Sequence, residues 1–214
     1  MGDLLPTIRV IGMEGSGKSA LLEALLGGIP LNFTARDRAT VAPVSFRVKR
    51  TRSLKDGVRY RVSLRFDGIE GVDPLMLSEE GNKNAIAFLR QNLETLMRDI
   101  KAKRGHCFKP VYVVIECSGA YFSFVTRTKK KLKISSPLDE TCNPITLLDF
   151  PGITRGSHDH DEVKSITEKN LAAGPLDIVL MVERADATEG ETAELLKMVQ
   201  KYGIIPPLAF HMKV

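Results

Sequence analysis

Gly12-Met13-Glu14-Gly15-Ser16-Gly17-Lys18-Ser19 matches the spacing G-x-x-x-x-G-K-[ST] in full. The residue types state a chemistry. Glycines let consecutive backbone N–H groups curl around phosphate oxygens, in torsions that a Cβ hinders. The lysine reaches β- and γ-phosphates, and the hydroxyl after it ligates Mg2+. The flanks agree with this reading. Thr7-Ile8-Arg9-Val10-Ile11-Gly12 is a β-branched run that predicts a buried strand. Ala20-Leu21-Leu22-Glu23-Ala24-Leu25-Leu26 is rich in helix formers and stops at Gly27-Gly28. A helix beginning at Lys18 points its positive dipole end at the same phosphate. Taken alone, the stretch predicts a nucleotide-phosphate binder and leaves base and reaction open.

Composition bounds the rest. The chain has 214 residues, with 31 Lys and Arg against 26 Asp and Glu, a formal charge of +5. A hydrophobic share of 43% excludes whole-chain disorder. Cys107, Cys117 and Cys142 are too few and too scattered for a disulfide scaffold. No apolar run approaches the roughly 18 residues of a membrane span. Met1 to Pro6 lacks the basic start of a signal peptide, and Pro6 stands where a myristoylation signal needs Ser or Thr. The expectation is a cytoplasmic protein with reduced thiols.

Further along, Val44, Phe46 and Val48, then Val58, Tyr60 and Val62, alternate with polar residues around a Lys55-Asp56-Gly57 turn. This predicts a hairpin with one apolar and one basic face. A loop is expected over about 68–80. Ile86, Leu89, Leu93, Leu96, Met97 and Ile100 then recur at helical spacing up to Gly105. Val111–Glu116, Ile145–Asp149 and Ile178–Val182 read as strands, and a second basic hairpin is expected near 120–135. Thr188 opens a helix with Glu191 in the capping-box position, and Pro207–Val214 reads as a last strand. The order of elements favours an α/β sheet with helices on both faces.

A second motif decides more. Asp149-Phe150-Pro151-Gly152 closes a hydrophobic strand, where an Asp is placed to hold Mg2+ through water and Gly152 frees its N–H for a γ-phosphate. The pair formed by the phosphate loop and Leu147-Leu148-Asp149-Phe150-Pro151-Gly152-Ile153-Thr154 resembles the GTPase domain of the dynamin superfamily. Thr40-Val41-Ala42-Pro43 resembles that family's first switch, and the long interval from Lys18 to Asp149 is similar to its insertion.

The resemblance implies a P-loop NTPase three-layer fold, with a central mostly parallel sheet and added β-hairpins, forming a dynamin-type G domain over residues 1–214. It implies GTP as substrate, Mg2+ as cofactor and hydrolysis by water. Thr40 would close over the γ-phosphate and ligate the ion together with Ser19 and Asp149. Gly12, Gly15, Ser16, Gly17, Lys18, Ser19, Ala20, Asp149 and Gly152 would face the nucleotide. Glu14 stands where dynamins usually carry Gln. A carboxylate there can orient water, but it cannot donate like an amide and adds negative charge beside a triphosphate. Glu14 is thus either a weak substitute or a residue that points away.

His211-Met212-Lys213-Val214 falls where the family's guanine motif is expected. Lys213 would pack along the base, and the specificity Asp would be the next residue. The G domain is therefore expected to be incomplete at its C-terminus and to lack a stalk. GTP and GDP are the expected partners, with G-domain dimers or self-assembly in the full-length protein. Membrane contact and remodelling come only by family analogy, and no nucleic acid is expected. Two other readings stand beside this one: a catalytically weak nucleotide-binding or interaction module, and a P-loop NTPase that uses ATP.

Three smaller features remain. The basic hairpin faces are read as solvated strand faces rather than lipid-binding ones. Arg36 and Arg38 are read as solvated loop residues. His158-Asp159-His160-Asp161 is read as a polar loop rather than a metal site.

Overall fold

The computed structural model describes residues 7–26, 40–51, 54–117, 145–154, 159–172, 178–184 and 186–201. Strands β1 (Thr7–Gly12), β2 (Val44–Arg50), β3 (Tyr60–Phe66), β4 (Leu75–Gly81), β5 (Val111–Cys117), β6 (Ile145–Asp149) and β7 (Ile178–Val182) form one sheet in the order β4-β3-β5-β2-β6-β1-β7. Helices α1 (Lys18–Leu25), α2 (Lys83–Arg104), α3 (His160–Ala172) and α4 (Glu189–Lys201) complete the described elements.

The sheet is mixed. Pairing is parallel at β1–β6, β1–β7 and β2–β5, and antiparallel at β2–β6, β3–β4 and β3–β5. Alternation along β1 divides the core. Val10 joins Leu22 and Leu26 near α1 and Leu89, Leu93 and Ile100 of α2 on one side. Ile11 and Met13 join Val163 and Leu171 of α3 and Leu195 and Val199 of α4 on the other. Two helical layers enclose the sheet, so the fold is the three-layer α/β arrangement the motifs imply.

Most sequence expectations on described residues hold. Gly105 ends α2, with its N–H on the Lys101 carbonyl 3.0 Å away. The α4 capping box is formed, with the Thr188 N–H 2.8 Å from a Glu191 carboxylate oxygen and the Glu191 N–H 3.3 Å from the Thr188 hydroxyl.

Two expectations are corrected. Strands β2 and β3 do not form a hairpin, because β5 inserts between them, parallel to β2 and antiparallel to β3. Among the described residues β3 instead pairs in a hairpin with β4, which lies in the stretch expected to be a loop. The second basic hairpin, Arg36, Arg38 and the last strand lie outside the described residues. Among the described residues, no helix is long and apolar enough to cross a membrane.

Candidate phosphate-binding site

The site grows from the C-terminal ends of β1 and β6, which run parallel with Val10 beside Asp149. Their pairing continues past the strands. The Glu14 N–H donates to the Ile153 carbonyl at 2.9 Å, and the Ile153 N–H donates to the Gly12 carbonyl at 3.3 Å. The loop after β1 and the segment after β6 are thereby held side by side. Strand β2 adds a third piece, because Val44 pairs with Asp149 and brings Thr40 to the same end of the sheet.

Close approach explains the glycines. A Cβ on Gly152 would stand 2.7 Å from the Glu14 Cα and 3.1 Å from the Lys18 Nζ. A Cβ on Gly12 would meet the Val182 carbonyl oxygen at 2.2 Å. Gly15 and Gly17 turn the loop with φ of 71° and 88°, left-handed values that side-chain-bearing residues rarely adopt.

The resulting cavity of about 270 Å3 is walled by residues 14–20 together with Thr40, Phe150 and Gly152. The structure thus brings together Gly12, Glu14, Gly15, Ser16, Gly17, Lys18, Ser19, Ala20, Thr40, Asp149 and Gly152. Lys213 lies outside the described residues.

Charge in this cavity is buried and opposed. The Lys18 ammonium bonds the carbonyls of Gly12 (3.2 Å) and Met13 (2.9 Å), inside its own loop. Burial lowers its pKa, while Asp149 and Glu14 push it back up. Burial raises Asp149 to about 6, against the pull of Lys18 and of the Thr40 hydroxyl 3.5 Å away. The Asp149 Oδ1 and the Ser16 Oγ are both buried without a hydrogen-bond partner. Buried polar atoms without partners are uncommon in folded proteins, and that of Ser16 belongs to a residue of the cavity wall. The oxygen donors of Ser19, Thr40 and Asp149 are of the hard type that Mg2+ prefers. Among the described residues no cluster of three or more His, Cys, Asp or Glu side chains could hold a metal.

Glu14 is engaged. The Thr154 hydroxyl hydrogen-bonds its carboxylate, and the Thr154 carbonyl lies 3.0 Å from the His160 Nδ1. His160 also places Nε2 3.1 Å from Glu194 of α4. Residues 159–161 are therefore no simple polar loop: His160 and Asp161 open α3, and Asp159 bonds His106 at 2.9 Å, while His158 lies outside the described residues. Nothing local in the sequence signals these pairings, which join residues 53 and 109 positions apart in the cases of His106–Asp159 and Thr40–Asp149.

A family model described as "Dynamin family" matches residues 8–205. A search of proteins with curated function returned no match.

Proposed function

We propose that this chain, which belongs to the dynamin family and carries that family's GTP-binding G domain, hydrolyses GTP with Mg2+ and water. The observation that carries the reading is the junction of the two phosphate-side motifs, where Gly152 lies against Glu14 and Lys18 and the Thr40 hydroxyl reaches Asp149. Backbone N–H groups of residues 15–19 would bind the phosphate chain, and Lys18 would exchange its loop carbonyls for β- and γ-phosphate oxygens. The Gly152 N–H would meet the terminal phosphate. Ser19, Thr40 and Asp149 would hold Mg2+, which when bound supplies positive charge to the phosphate oxygens. Thr40 would fix the water through its carbonyl.

Titration of labelled GTP, GDP and ATP with and without Mg2+, followed by phosphate release, tests this. Preference for guanine nucleotides with Mg2+-dependent release supports it. Equal binding of ATP, or no binding, by a version extended past Val214 defeats it.

One observation favours a second reading, a nucleotide-binding module with weak catalysis. Glu14 stands at the water-orienting position and has its carboxylate bonded to Thr154. Tight GTP binding without release would select that reading. The family relation supports self-assembly and, by analogy, action on membranes, and a GTP-dependent change in sedimentation with and without vesicles tests both; a cytoplasmic location rests on the sequence alone.

A further inference from the structure

Two adjacent residues in the connection after α2 touch both segments that flank the terminal phosphate. The Cys107 N–H donates to the Val41 carbonyl at 3.0 Å, one residue after Thr40. The His106 Nε2 lies 2.9 Å from the Asp159 Oδ2, at the residue that precedes α3. From Asp159 the contacts continue. His160 holds the Thr154 carbonyl, and the Thr154 hydroxyl holds Glu14 in the phosphate loop. On the other side Thr40 reaches Asp149. His106-Cys107 therefore links the Thr40 segment to the Asp159–Thr154–Glu14 line of contacts, and no residue of the phosphate motifs belongs to this linking piece.

We infer that His106 is a positioning residue that ties the Thr40 segment to α3, so that the two switch segments move into place together. Its side chain is buried, and its Nδ1 has no partner among the described residues. Because a carboxylate only accepts, the Nε2 must carry the proton in this bond. A bond to a carboxylate is among the stronger hydrogen bonds, and burial strengthens it further. Its partner Asp159 precedes α3 directly: the Val163 N–H bonds the Asp159 carbonyl at 3.0 Å, so moving Asp159 moves the first turn of the helix. His106 touches no reacting group. Its effect belongs to the assembly of Thr40 and the Asp149–Thr154 segment, and not to the grip of the loop on α- and β-phosphates. The inference rests on the reading of this site as a GTPase.

The test compares His106→Leu, His106→Gln and Asp159→Ala in the 214-residue chain. Leu keeps volume and loses the donor, while Gln keeps a donor at similar reach. Expected are a fall in kcat of about ten-fold for His106→Leu and Asp159→Ala, GDP affinity within about two-fold, and recovery in His106→Gln. Unchanged kcat in the first two variants overturns the inference. So does a parallel loss of kcat and GDP affinity that Gln does not rescue, which is the mark of a merely structural role.

Asp159 is partly exposed, so Asp159→Ala keeps the test alive if His106→Leu fails to fold. If the parent chain shows no GTP turnover, the GTPase reading fails by itself. Amide exchange in the nucleotide-free chain then decides the inference. Asp159→Ala should raise exchange at Cys107, on the far side of the His106 bond, and an unchanged Cys107 amide overturns it.

Discussion

The hydroxyl of Thr154 donates to the carboxylate of Glu14, so the third residue of the phosphate loop is bonded to the end of the segment that follows Asp149. This contact gives Glu14 a partner other than water. One of its two carboxylate oxygens is engaged by Thr154, and turnover of a variant decides between its two sequence-based readings, poor catalyst and residue that points away.

Glu14→Gln is therefore expected to raise turnover. An amide oxygen can keep the Thr154 bond, while the amide N–H2 can donate to water or phosphate and the negative charge is gone. We expect kcat to rise about three- to ten-fold, consistent with the gain of one donor at a reacting centre. Steady-state phosphate release at saturating GTP measures it, and an equal or lower kcat would falsify the idea that Glu14 limits hydrolysis.

Gly152→Ala is expected to separate the two motifs. The added methyl would meet the backbone of Glu14 at 2.7–3.0 Å, and backbone cannot swing aside as a flexible side chain does. The expected loss is about 1–3 kcal/mol of stability together with at least ten-fold weaker GTP binding. Denaturant melts and nucleotide titration measure the two effects. Retention of both would show that the segment after Asp149 relaxes away from the loop without consequence.

The parts of this architecture that were legible in the sequence are those set by backbone chemistry. Gly12, Gly15, Gly17 and Gly152 answer local demands of torsion and approach, and Lys18, Ser19 and Asp149 sit at fixed steps from them. Strand partners are a different matter. Alternation along β2 and β3 shows that each buries one face, but not that β5 will come between them from some fifty residues later. Strand β4, Leu75–Gly81, hides for another reason. It is the last strand of the described sheet, its Met76 is exposed, and Ser78-Glu79-Glu80-Gly81 breaks the apolar pattern. The His106–Asp159 and Thr154–Glu14 bonds leave no periodic trace, because a polar pair needs only one residue on each side.

Glu116 should act as a charge anchor across three strands. Its carboxylate lies 2.5 Å from the Lys49 Nζ on β2 and 2.9 Å from an Arg61 nitrogen on β3. Burial pushes its pKa up, but the bonds to Lys49 and Arg61 outweigh that and leave it below the ordinary glutamate value. A lowered folded-state pKa contributes stability above the unfolded value of 4.5 that is lost as pH falls through the folded one. Glu116→Gln is expected to cost about 1–2 kcal/mol at pH 7. The difference from the parent chain should shrink as the pH drops below 4.5. Paired urea melts at neutral and acid pH measure this, and a cost that does not change with pH would remove the ionic explanation.

Cys117 ends β5 between Arg50 and Tyr60 of the flanking strands, with its thiol buried. Burial pushes the pKa up to about 12, and the neighbouring Glu116 charge pushes the same way. The thiolate is the reactive form, so at pH 8 the folded chain holds almost none of it and reagents reach the sulfur only when the strand opens. Labelling of Cys117 by a disulfide reagent should therefore be slower than in the urea-unfolded chain by on the order of a hundred-fold or more. Peptide mapping of a time course, with each cysteine scored separately, measures the ratio. Glu116→Gln should move it in a definite direction. Loss of the anchor raises the opening population, so Cys117 should label faster in that variant even though removal of the neighbouring charge is a small electrostatic change. Fast labelling in the parent chain, comparable to the unfolded state, would mean that β5 is not held between β2 and β3 in solution.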